Sequence, residues 1–270
     1  LEAEGFQLQG NRFVRGEEMY LPLYEGRMIH HFDHRRASVG VQEETTFRSG
    51  VTVETTESEH QDSLFASLPR SWVRRDTVET NVPDGYDRGW FFGFKDVTSS
   101  TNERTFICSL TPRTAVGNKV PLLLTQQSAP LVSGLIGNQS SLVFDYATRQ
   151  KIGGVSLNFY IVEQLPVHPP ERYAPELLEY IAPRVLELTY TSWDLAAFAD
   201  DVWSESSAAL QNAIEAQWKD NVKATNGGHR GAQPPEWVEH SEQAAEHFPH
   251  EPFLWDEERR AHLRAELDGL

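Results

Sequence analysis

The chain has 270 residues, 39% of them hydrophobic and 11% aromatic, which is enough to bury one large core or two modest ones. No apolar run approaches the length of a membrane span, and the single Cys108 leaves no partner for an internal disulfide, in keeping with a reducing, cytoplasmic setting. The net charge of −16 excludes a globally basic nucleic-acid binder, but the acid is uneven: residues 1–165 hold 16 Lys and Arg against 20 Asp and Glu, residues 166–270 only 8 against 20.

Leu1-Glu2-Ala3-Glu4 lacks the basic start and apolar run of a signal peptide. The missing initial Met, and a helical pattern still running at Leu270, predict a piece of a longer protein. Tyr20 to Gly26 reads as an extended run closed by glycine. The next segment carries three histidines and Asp33 within five residues; His30 and His34 share a face of a helix, while His30, Phe32 and His34 share a face of a strand. That spacing matches no metal-ligand signature, and a polar strand or turn is the simpler reading. Arg35 and Arg36 are candidates for phosphate contact, with ordinary surface charge as the alternative.

Residues 37–65, rich in Thr, Ser, Glu and Val as in Val51 to Thr56, look like an exposed, irregular strand or hairpin, and Ser71-Trp-Val-Arg-Arg75 sets an aromatic beside two cations. After a turn at Val82-Pro-Asp-Gly85, Trp90-Phe-Phe-Gly-Phe94 has the character of a core strand. Lys95 to Thr105 follows, mostly short hydroxyl and amide side chains between two apolar runs. Thr101, Asn102 and Arg104 suit base edges and Lys95 a phosphate; the plainer alternative is a turn whose side chains cap its own backbone. Lys119 closes another basic loop, which lacks the GxxxxGK[ST] pattern of a nucleotide-phosphate loop. Pro121 to Leu124 predicts a short strand, and Ala129-Pro130 opens a helix.

The stretch from Phe144 to Val167 reads as a helix end carrying Arg149 and Lys151, a turn at Gly153-Gly154, a strand over Val155 to Val162, and a stop at Pro166. Two cations beside bare glycine amides suit an anionic backbone. Beyond His168-Pro-Pro-Glu171 the pattern turns helical through Leu188, with further helices starting at Trp193-Asp194, Ala208 and Asp256, and a Gly- and Pro-rich loop over 225–235. The expected architecture is therefore α+β, with a mixed, strand-rich domain over 1–166 and a helical segment over 167–270 that contains an insertion near 204–250.

Catalytic patterns are missing. The Pro-Pro pairs, His168-Pro-Pro-Glu171 and Gln233-Pro-Pro-Glu236, do not form the Asn-Pro-Pro-aromatic loop of adenine-N6 transfer, and GxSxG, HExxH and CxxC are absent.

Several phrases in fixed order carry a resemblance: Tyr24-Glu-Gly-Arg-Met-Ile-His-His-Phe-Asp-His-Arg35, Asp96-Val-Thr-Ser-Ser-Thr-Asn-Glu-Arg-Thr105, Phe144-Asp-Tyr-Ala-Thr-Arg-Gln-Lys-Ile-Gly-Gly154, Leu157-Asn-Phe-Tyr-Ile-Val-Glu-Gln-Leu-Pro-Val167, Arg184-Val-Leu-Glu-Leu-Thr-Tyr190 and Pro252-Phe-Leu-Trp-Asp-Glu-Glu-Arg-Arg260. Over about residues 20–203 and 252–270 the chain resembles the C-terminal target-recognition region, with a TaqI-like specificity domain, of adenine-N6 DNA methyltransferases of the restriction–modification and phage-defence type. The resemblance implies double-stranded DNA as partner and a methyltransferase domain upstream, which would bind S-adenosylmethionine, no cofactor being expected in this segment. Phosphate contacts would then fall to Arg149, Lys151, Gly153, Gly154, Lys95, Lys119, Arg35 and Arg36, and base reading to Thr101, Asn102 and Arg104. The rival expectation, from the acidic helical half, is a protein-interaction or scaffold module that binds no DNA.

Overall fold

The computed structural model describes residues 1–41, 50–229 and 231–270. It is an α+β fold in which every named strand precedes residue 117. Strands β1 (Gln7–Gln9), β2 (Arg12–Arg15), β3 (Glu18–Tyr24) and β6 (Trp72–Arg74) form an antiparallel sheet, and β9 (Ala115–Val116) joins β3 in parallel. A two-stranded ribbon pairs β4 (Ala37–Val41) with β5 (Gly50–Glu54). The exposure of Val51 and Val53 matches the expected surface hairpin, whose residues 42–49 lie outside the described set. Short helices α1 (Glu57–His60) and α2 (Arg75–Asn81) follow β5 and β6 respectively.

The ribbon of β7 (Trp90–Phe94) and β8 (Cys108–Pro112) is buried along its whole length, as the unbroken aromatic run requires. Its covering comes from helices: α3 (Ala129–Ser140), α4 (Leu142–Lys151), the single turn α5 (Phe159–Val162), α6 (Pro175–Thr189), α7 (Ala196–Ser204), α8 (Ala208–Ala224) and α9 (Glu257–Asp268). Ser141 divides α3 from α4 and caps the latter, its Oγ accepting from Phe144 N at 3.2 Å. Asp256 does the same for α9 at 2.8 Å. One large apolar cluster runs from Phe32 through β7 and β8 to Leu267, so residues on both sides of 166 share a core. Asp201 of α7 locks the ribbon to the helices: it accepts from Trp90 Nε1 at 2.8 Å and pairs with Arg88 at 3.1 Å. Burial raises its pKa, against the pull of Ser241, Trp90 and Arg88.

Two expected strands are corrected. Pro121 to Leu124 is extended but forms no ladder; it leans on β7 through a bridge at Gly93, where a Cβ would sit 2.7 Å from Pro121 O. Residues 155–162 carry a helical turn instead of a strand. Leu157, Ile161 and Leu165, four apart, are buried, whereas Phe159 and Tyr160 face outward, so the spacing of four governed and not the alternation.

Candidate nucleic-acid surface and histidine cleft

The segment joining β7 to β8 is the polar loop expected between two buried runs. It closes on itself: Thr98 Oγ1 donates to Thr105 O at 2.7 Å and Thr105 Oγ1 to Ser99 O at 3.2 Å. Helix α4 then pins it from behind. Asp145 Oδ1 accepts from the amides of Thr105 at 2.6 Å and Phe106 at 2.8 Å, while Oδ2 accepts from Arg149 Nε at 2.7 Å. The rest of the Arg149 guanidinium donates to the loop carbonyls of Ser100 at 2.9 Å, Asn102 at 2.8 Å and Glu103.

Ser100, Thr101 and Asn102 therefore stand exposed on a backbone held at several points. Thr101 Oγ1 lies 2.9 Å from Ser99 Oγ. Asn102 donates weakly to Thr98 Oγ1 at 3.4 Å, and its amide oxygen accepts nothing among the described residues. Each nitrogen of Arg149 is engaged by an acceptor of the protein itself, so the phosphate contact expected of it competes with bonds that shape the loop. Lys151, two residues on, is exposed and unpaired among the described residues, and Gly153 and Gly154 follow with exposed amides that donate to no protein acceptor in that set. A Cβ at either glycine would meet nothing within 4 Å, so what they offer is bare backbone and not a special conformation.

The other expected phosphate contacts divide. Arg35 is corrected outright: it is 0% exposed and donates to the carbonyls of His60 at 2.9 Å, Asp62 at 2.8 Å, Phe65 at 3.1 Å and Thr191 at 3.1 Å. Lys119 pairs with Asp96 at 2.5 Å, Arg104 with Asp268 at 3.2 Å, and Arg36 with Glu54 at 2.7 Å. Lys95 is half-buried and makes no hydrogen bond or ion pair among the described residues. Burial, then the charge of Arg36, lowers its pKa.

Lys95, Arg36 and Arg104 act together on the histidine segment. His30 and Asp33 exchange backbone hydrogen bonds at 2.7 and 3.0 Å, with His31 and Phe32 at the turn between them. Phe32 takes φ 56, a left-handed conformation costing an L-residue about 1–3 kcal/mol; burial of its ring in the main core holds it there. Beyond the turn the side chains part company. Asp33 accepts from His60 at 3.2 Å and from Arg35 N at 2.9 Å, and His34 Nε2 donates to Asp194 at 2.9 Å. Burial works to raise the Asp33 pKa, but the bond from His60 and the charges of His60, Arg260 and His34 outweigh it and bring it to about 2. Ser192, His34 and Asp194 do not make a hydrolytic triad, because serine and aspartate both meet the same ring nitrogen.

His30 and His31 border a cleft of about 280 Å³ with Arg36, His60, Trp255 and Arg264. Its wall is layered, Trp255 stacking on His60 at 3.9 Å and Arg260 lying 3.4 Å from the indole centroid. Burial, with Lys95, Arg36 and Arg264 against the opposing Asp33, lowers the His30 pKa to about 4. At His31 burial acts first, and the charges that add to it, from Arg104, His30, Arg264 and Lys95, are all cationic. The lining is mixed in charge, with Asp33, Glu57 and Glu257 set against Arg36, Arg260 and Arg264.

Sequence reasoning missed Asp145, although its spacing of four from Arg149 is the signal of a helical ion pair. It also missed the apolar surface beside the loop, where Val97, Leu142, Val143, Tyr146, Val155, Phe159 and Tyr160 are all exposed. No family model matches the chain, and neither does a curated protein or a solved structure. Among the described residues no helix is long and apolar enough to cross a membrane.

Proposed function

We propose that this chain is a DNA target-recognition domain, of the kind that serves adenine-N6 DNA methyltransferases, and that it reads double-stranded DNA with the loop over 98–104. The observation that carries the reading is the way Arg149 and Asp145 fasten that loop from behind while leaving Thr101 and Asn102 exposed on its outer side. A reader of base edges needs short donors and acceptors on a backbone that does not move, and an asparagine amide can bond an adenine edge bidentately. Lys151 and the amides of Gly153 and Gly154 supply phosphate contacts next to it, with Lys95 adding a further positive charge. Methyl transfer and the binding of S-adenosylmethionine belong, on this reading, to an upstream catalytic domain.

A second reading, an acidic protein-interaction module, draws on the exposed apolar side chains of α4 and α5. Salt separates the two. Binding to mixed-sequence duplexes, followed by fluorescence anisotropy between 50 and 200 mM salt, is expected to weaken steeply, and Lys151→Ala to lower the slope of log K against log salt by about 1. Absence of salt-dependent binding at the lowest salt favours the interaction module.

A further inference from the structure

Between α8 and α9 the chain runs from Thr225 to Asp256 with no named helix or strand among its described residues. Segments of that length without regular structure need anchors. One of them is Asp200, in the middle of α7 and 1% exposed. Its Oδ1 accepts from Phe248 N at 2.8 Å, and its Oδ2 from Ser241 N at 3.1 Å and His240 Nδ1 at 2.7 Å. The same arrangement brings His240 against His247, their rings parallel to within 9° and 4.3 Å apart. One ligand atom from each of Asp200, His240 and His247 lies within 4.8 Å of the others, a grouping the 30–34 segment does not achieve.

We propose that Asp200, His240 and His247 form a binding site for a divalent transition-metal ion with a preference for imidazole nitrogen, of which zinc is the type, and that the ion fastens residues 240–248 to α7. Two imidazoles and one carboxylate are the donor set such ions take, and water completes the coordination. With zinc bonds of about 2.0–2.2 Å, tetrahedral ligand atoms stand about 3.3 Å apart. The Asp200–His240 pair therefore opens by roughly half an ångström, and the exposed His247 swings inward by no more than about 1.5 Å. The ion takes the place of the proton on His240 Nδ1: from the imidazolium that proton is released to solvent, and from the neutral ring it is exchanged for one on Nε2, so that a neutral imidazole is the ligand. The amides of Ser241 and Phe248 keep the carboxylate oriented, as supporting groups do around metal ligands.

The test is zinc titration of the whole chain, free of any affinity tag, by calorimetry and by competition with a chromogenic chelator. One zinc per chain is expected, with affinity falling at least about tenfold in His247→Ala and in His240→Ala and unchanged in the control His168→Ala. His247 is exposed, so His247→Ala should unfold like the parent without zinc but lose the rise in Tm that zinc confers. No zinc binding by the parent chain, or equal affinity in His247→Ala, overturns the proposal.

Discussion

Replacing Arg149 by Met keeps most of the side-chain volume and removes four donor contacts, one to a buried carboxylate and three to loop carbonyls. Hydrogen bonds to charged groups are worth about 1.5–3 kcal/mol each when counted singly. They will not add here, because an opened loop recovers water at its carbonyls and Asp145 keeps the amides of Thr105 and Phe106. The side chain is also 28% exposed, which discounts the pair with Asp145. A net loss of about 3 kcal/mol remains, or a fall in Tm of about 6–12 °C at this chain length. Urea unfolding measures the loss, and amide exchange locates it: protection should drop first at 99–106. If Arg149→Met unfolds within about 0.5 kcal/mol of the parent while its binding to duplex DNA loses salt dependence, Arg149 is a phosphate contact after all and the clamp is wrong.

Arg35→Met should be more damaging, since a fully buried guanidinium is lost from four carbonyls, two of them in buried bonds: a loss of about 4 kcal/mol is expected, seen in urea midpoints or as insoluble protein, and near-parental stability would refute the core assignment. Stability should also fall with acid. The folded pKa of His30, about 4, lies below its ordinary 6.5, so between those values the unfolded chain binds more protons, and up to about 3 kcal/mol is lost as pH drops through the window. His31 is shifted the same way and adds to the loss. The difference in urea midpoint between pH 7 and 4.5 should shrink in a His30→Asn, His31→Gln double variant; an unchanged difference contradicts the assignment.

The legible parts were those where neighbouring residues carry the information. The aromatic run of β7, the proline that opens α3, and Asp256 ahead of α9 each act through local sterics or capping, so pattern and structure agree. Residues 157–165 misled because Leu157, Phe159 and Ile161 alternate like a strand while Leu157, Ile161 and Leu165 repeat like a helix. Only the surrounding core decides which set is buried. Arg35 misled for a related reason: beside Arg36 it has the look of surface charge, and the carbonyls of residues 60–65 and 191 that enclose it are remote in the chain. The polar loop was readable as a loop, but its clamp was not, since Arg149 meets Ser100 across 49 residues. Long-range pairing of this kind leaves no periodic trace in the sequence.

The proposed role as a reader of DNA sequence is tested most directly by selecting bound duplexes from a pool with a randomised central segment, using the parent chain and Asn102→Ala side by side. The parent is expected to enrich a defined motif, and Asn102→Ala, with its affinity for mixed DNA nearly intact, to become indifferent at one base pair of that motif. A parent chain that enriches no motif, or an Asn102→Ala chain that selects the same motif as sharply, contradicts it.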